Sequence, residues 1–287
     1  MFVIVGVFVV LGAVLGGFAL EGGPFLVLMQ FAEFLIIGGA ALGALMISAP
    51  TSLLKKIIGK MLQTLKGSSI DSQTYLDLLK LMYEIFQVSR KDGLIALETH
   101  IEKPEESSIF TQYPRFVAQH HQLHFMCDTF RLVVLGGVPA HDMEALMDGD
   151  IETHHSEGMK PGMILQKIGD SMPGLGIVAA VLGIVITMGA INGPPEEIGH
   201  KVAAALVGTF LGIFISYGFL QPLATNIDII NDEESKVFEA IKAGMIAFAK
   251  GFNPIISVEF ARRAIPGEMR PGFQEMEDYV KGRKVNG

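Results

Sequence analysis

The chain has 287 residues, half of them hydrophobic and 18% charged, with a mean hydropathy of +0.44, which is too apolar for an ordinary soluble domain. A net charge of −8 offers no basic face to a nucleic acid. The lone Cys127 excludes an internal disulfide framework and the usual multi-cysteine metal sites.

A bilayer core of about 30 Å needs roughly 20 consecutive apolar residues in a helix. Four stretches carry no charge at all: residues 2–20, 34–54, 171–195 and 202–227. They predict spans at about 2–20, 34–54, 171–192 and 200–222. The N-terminal run MFVIVGVFVV has no basic flank and no small-residue cleavage site, so it reads as a retained first span.

Lysine and arginine orient the spans. Residues 55–167 hold twelve of them and the stretch after 227 holds nine, while 21–33 holds none and 196–201 holds only Lys201. The long middle segment, the tail and both termini are therefore expected in the cytoplasm, and the two short loops in the periplasm. The expected fold is an all-α integral membrane protein. Four transmembrane helices form two hairpins (1–54 and 169–227). A helical cytoplasmic domain (55–168) separates them, and a cytoplasmic helix and tail (228–287) follow.

Along the chain, Glu33 falls at the periplasmic entrance of the second span, away from mid-bilayer. Tyr75 to Phe86 places apolar residues on one broad helical stripe. Arg90 and Glu98 follow, eight positions apart with Gly93 between them. On one helix they would lie loosely on one side, and spacing alone reads them as solvated charge. His120, His124 and Cys127 could share a helical face, but no second cluster completes a metal site, so a packed or surface helix is preferred. Gly136-Gly137-Val138-Pro139 breaks the next helix, and an acidic helix over 141–157 includes Asp150.

Asp170 precedes the third span, and Pro173 is expected in that helix's first turn, where its missing N–H costs little. The polar residues of the last two spans are Thr187, Thr209, Ser216 and Tyr217. Each could simply bond back to its own helix, or line half of an ion path. Thr209 lies between Gly208 and Gly212, on a narrow face suited to close helix packing. Pro222 should kink the fourth helix as it leaves the bilayer. The match of Gly174–Ala179 to G-x-G-x-x-A follows no strand and is accidental. No arrangement suits covalent catalysis, and no cofactor or metal is expected. With no mid-span charge, any ion moved must ride on a partner's carboxylate.

The stretches YLDLL, SRKDGLIALE, EALMDGDIETHHSE, GDSMPGLGIVAAVLGIV and LVGTFLGIFISYGFLQPLAT, in this order, resemble the MotA family of flagellar stator subunits. The last two are shared with the wider MotA/TolQ/ExbB proton-channel superfamily. The resemblance implies that Arg90 and Glu98 engage the rotor protein FliG. It implies that Pro173 and Pro222 couple ion passage to conformation, and that Thr209 lies near the ion path. Ala180, Thr187 and Tyr217 would line that path, with Asp150 and Asp170 as accessory acidic positions. The ion-carrying aspartate would belong to a MotB-type partner, with five chains of this kind around two partner chains in membrane lipid. Sodium-type relatives carry threonine where Ala180 stands, so protons are the expected ion. Alternatives are a sodium-driven stator, an ExbB/TolQ-like energiser of a periplasm-spanning partner, and a scaffold without ion flux.

Overall fold

A computed structural model describes residues 2–189 and 191–282. Met1, residue 190 of the expected third span and residues 283–287 of the expected tail lie outside the described residues. The described residues are helical and contain no β-strand. In chain order the helices are α1 (Phe2–Leu20), α2 (Phe25–Leu28), α3 (Phe31–Ser48), α4 (Thr51–Lys66), α5 (Ser72–Asp92), α6 (Ile95–Ile101) and α7 (Pro114–Val117). They continue with α8 (His120–Leu135), α9 (Ala140–Met188), α10 (Pro195–Ile215), α11 (Gln221–Ala249), α12 (Pro254–Ala264) and α13 (Phe273–Val280). A π-helical turn, Ser216–Leu220, joins α10 to α11. The chain divides into two compact units, residues 1–67 with 158–230, and residues 68–157 with 231–287.

The first unit holds all four apolar spans. α1 is apolar on every face and buries none of its residues within the chain, leaving Phe2 and Phe8 bare. A helix with no polar face is stable in lipid or against another chain, not in water. α3 was expected to run to residue 54. It stops at Ser48 because Pro50, which donates no N–H, forces the chain out of helix before α4 begins. The interior of this unit is built from Ile37, Ala41, Ile168, Met172, Ala179, Val207 and Leu211.

The structure corrects the reading of α9. An acidic helix ending near residue 157 and a separate span beginning near 171 were expected. One 49-residue helix covers both, with Pro161 and Pro173 inside it. Pro173 is therefore an internal proline rather than a first-turn one. Internal prolines persist in such helices when another group satisfies the carbonyl they free.

The second unit is a water-type helical core. Asp71 opens α5 with a capping box: its side chain accepts from the Thr74 N–H at 2.7 Å, and the Thr74 hydroxyl accepts from the Asp71 N–H at 3.3 Å. The stripe foreseen along α5 buries Tyr75, Leu79, Met82 and Phe86 completely or nearly so. Phe86 stacks on Phe248 at 4.4 Å and meets Phe130 edge-on at 5.9 Å. Each such ring contributes about 1.5–3 kcal/mol through burial.

Candidate functional site in the apolar bundle

α9 and α10 cross on glycine. A Cβ on Gly176 would lie 2.7 Å from the Gly208 carbonyl oxygen, and one on Gly212 would lie 3.0 Å from the Gly176 Cα. Two turns along, a Cβ on Gly183 would lie 2.8 Å from the Ala205 side chain. Rising numbers on α9 thus meet falling numbers on α10, so the two helices pack antiparallel with backbones in contact. Small residues at this spacing permit such an approach in lipid. The Gly208/Gly212 pair stood out in the sequence; its partner Gly176 did not.

The third wall of this crossing is α3, and it brings a carboxylate. Glu33, in the first turn of α3, is 6% exposed. Its Oε2 is buried without a hydrogen-bond partner. A Cβ on Gly208 would lie 2.5 Å from that oxygen. The sequence placed Glu33 at a span entrance but gave no sign that it turns inward. The only available signal was its isolation in an apolar run, QFAEFLIIGG.

The other expected path residues divide. Thr187 is fully buried, and its hydroxyl donates to the Gly183 carbonyl at 2.8 Å, the back-bonded arrangement. Thr209 and Ala180 are half-buried on α10 and α9. Tyr217 is exposed on the π turn.

A polar knot lies at the other end of the crossing, around the two prolines. The Ser216 hydroxyl, fully buried, donates to the Gly169 carbonyl at 2.7 Å. The Gln221 amide donates to Asp170 Oδ1 at 2.9 Å and to the Ser216 hydroxyl at 3.2 Å. Gln166 donates to the same Asp170 oxygen at 3.1 Å. Pro222 does not break the fourth helix. The expected irregularity sits just before it as the π turn, where the hydrogen-bond ladder widens by one residue and the Gln221 N–H donates to the Ser216 carbonyl. Ser216 and Gln221 were not singled out as partners in the sequence, because their bonds cross between helices.

The second unit holds the remaining candidates. Arg90, in the last turn of α5, and Glu98, on α6, are both exposed. They do not share a helix. Gly93 ends α5 with φ of +86°, a left-handed conformation that favours glycine, and the chain restarts as α6. Asp150 is exposed on α9. His120 and His124 are exposed on α8, whereas Cys127 points into the core, where burial pushes its thiol up to about 12. The three do not converge.

Two family descriptions match this chain: Motility protein A N-terminal over residues 4–93, and MotA/TolQ/ExbB proton channel family over residues 116–240. Motility protein A of Escherichia coli (strain K12) is 40% identical over 284 residues, covering 99% of this chain and 96% of the relative. Chemotaxis protein LafT of Vibrio parahaemolyticus is 37% identical, covering 96% of each. The flagellar MotAB stator complex from Bacillus subtilis superimposes with a TM-score of 0.75 at 25% identity, covering 93% of this chain and 96% of that one. The C. jejuni MotAB structure shares the fold, with a TM-score of 0.76 at 20% identity over 93% of this chain and 96% of that one. The four apolar helices, the glycine-lined α9–α10 crossing and these full-length matches agree: the chain belongs to the motility protein A family of the MotA/TolQ/ExbB proton channel group.

Proposed function

We propose that the chain is the stator subunit of a bacterial flagellar motor, forming with a MotB-type partner a proton channel that turns ion flow into torque. The observation that carries this reading is the α9–α10 crossing. It is a tight, glycine-lined pair that exposes apolar surface outward and keeps few polar groups of its own. α1 adds an apolar surface with no fully buried residue, as a subunit surrounded by lipid and other chains requires.

The chain sits in the inner membrane as a multi-pass protein, with residues 55–168 and the tail, 228–287, in the cytoplasm. Five copies surround two partner chains. Protons reach the partner's aspartate along a path bordered by α9 and α10. Thr209 and Ala180 lie beside that path, Thr187 is buried in its wall and Tyr217 lies near its exit. Each proton crossing the membrane releases about 2.3 kcal/mol per 100 mV. Neutralising the partner's carboxylate removes a charge that is costly in hydrocarbon, and the ring steps to its next contact. Pro173 and Pro222 flex with that step, and Arg90 and Glu98 pass it to FliG. Asp150 and Asp170 are accessory acidic positions. Ala180 offers no hydroxyl to replace part of a sodium ion's hydration shell, which supports protons as the ion.

The test is deletion and reconstitution. Removing the gene should abolish swimming, and restoring it should rescue swimming at equal torque with or without sodium. Co-expression with an unplugged MotB-type partner should acidify the cell. Normal swimming with impaired nutrient uptake would point to an ExbB/TolQ-like energiser instead. Intact assembly without any leak would leave only a scaffold.

A further inference from the structure

We propose that Glu33 is a second proton-binding carboxylate of the channel, supplied by this chain itself. Its ligand is a single proton in exchange with water at the loop end of α9 and α10. The inference rests on the reading of this bundle as a proton channel.

Three observations carry it. Glu33 is more than nine-tenths buried, and its Oε2 has no hydrogen-bond partner. An ionised carboxylate left so in an apolar bundle is costly, whereas the neutral acid is tolerated. Space is kept for the group: Gly208 provides room where any Cβ would stand 2.5 Å from Oε2, and Gly183 leaves Oε1 clear at 3.7 Å. Among the described residues, α9 and α10 bring no counter-charge to the recess. α9 presents Gly183 and Ala179 to this crossing, and α10 presents Gly208 and Ala205, none of them titratable. The titratable groups nearest to it along α10 are Glu196, Glu197, His200 and Lys201 in its first two turns, and Lys201 is already paired with Glu197 at 2.8 Å. A bound proton neutralises the carboxylate and removes the cost of holding its charge in this apolar setting.

The location suits a relay. Glu33 lies beside Gly183, one turn of α9 inward from Thr187 and so still near the end of α9 that leads into the short α9–α10 loop. An ion entering from the loop side would meet this carboxylate before reaching a carrier deeper in the assembly.

The experiment uses the whole complex with its MotB-type partner. Two properties are read for the unaltered chain, Glu33→Gln and Glu33→Asp: proton flux through the unplugged complex as a function of pH, and the infrared band of protonated carboxyl groups. Glu33→Gln keeps the size and the neutral charge of the protonated side chain, so it should assemble normally. Its flux should fall about a hundredfold, the lower end of what a positioned proton-transfer group contributes. One protonated-carboxyl band should also vanish from its spectrum. Glu33→Asp should keep that band, shifted, with intermediate flux. A Glu33→Gln complex with unchanged flux and pH profile would falsify the relay. A spectrum identical to that of the unaltered complex would remove the bound proton. If the unaltered complex carries no protons at all, the channel reading fails, while the infrared comparison still decides whether Glu33 holds a proton.

Discussion

Ser216 donates its hydroxyl at 2.7 Å to the Gly169 carbonyl, and that carbonyl is the one Pro173 leaves without a donor. In a regular helix the N–H of residue 173 would bond the carbonyl of residue 169, but proline has no N–H. Ser216 replaces it from the π turn that accommodates Pro222. The two prolines are therefore joined through one hydrogen bond between α9 and the α10–α11 junction.

That bond predicts an asymmetric double-mutant cycle. Ser216→Ala leaves a buried carbonyl unpaired and should destabilise the bundle by about 1–3 kcal/mol. In a Pro173→Ala background the restored N–H satisfies Gly169, so the same Ser216→Ala change should cost much less. Thermal unfolding of the detergent-solubilised complex measures both. Equal costs in the two backgrounds would show that the carbonyl finds its donor elsewhere.

The glycine crossing predicts intolerance to a single methyl group. A Cβ on Gly212 would stand 2.5 Å from the Met172 carbonyl oxygen and 3.0 Å from the Gly176 Cα. Both are backbone atoms, so neither can swing aside. Gly212→Ala should separate α9 from α10 and cost about 1–3 kcal/mol as overpacking. Gly174→Ala, whose Cβ meets nothing within 4 Å, is the matched control. Motility and membrane yield should fall for Gly212→Ala alone.

These contacts show where the sequence stops being informative. Hydropathy picked out the four helices long and apolar enough to cross a membrane, because lipid imposes a length and excludes charge over that length. The apolar stripe on α5 was legible, because burial repeats with the helical period. The 49-residue α9 was not, since two internal prolines and a change from acidic to apolar composition look like a boundary. What keeps that helix whole at Pro173 is Ser216, 43 positions later in the sequence from that proline. The separation of Arg90 from Glu98 turned on one residue, Gly93, whose positive φ ends α5 between them. Glu33 was visible as a charge near a span, but its inward turn depends on Gly183 and Gly208, on helices far along the chain.

Glu259 predicts a specific loss of stability in acid. It accepts from Arg262 Nε at 2.6 Å and Nη2 at 2.9 Å, and from Arg263 Nε at 2.7 Å. The Arg262 hydrogen bonds, followed by the one from Arg263, hold its carboxyl below the ordinary glutamate range against the opposing effect of burial. A folded-state value below the unfolded one means the stabilisation is fully present above the unfolded value, about 4.3. It is lost as pH falls through that value towards the folded one. Unfolding midpoints measured from pH 6 downwards should therefore drop more steeply for the unaltered protein than for Glu259→Gln. Parallel curves would show that the arginines do not stabilise the ionised form.

Arg90 and Glu98 predict graded effects on torque. Both side chains are exposed, and they stand on separate helices joined at Gly93. An exposed ion pair is worth at most about 1 kcal/mol and is screened by salt. Neutralising either residue should therefore reduce torque without abolishing it, and neutralising both should reduce it further. If the proposed rotor contact holds, reversing either charge should be worse than removing it, because attraction would become repulsion. A compensating reversal on the rotor should recover part of the loss. Single-motor torque under constant load, with the ring confirmed intact, separates this from a folding defect, since neither side chain is buried in the core. If reversal of both residues leaves torque unchanged, the α5–α6 corner does not touch the rotor, and the contact must be sought on other exposed charges, of which Asp150 on α9 is the first to test.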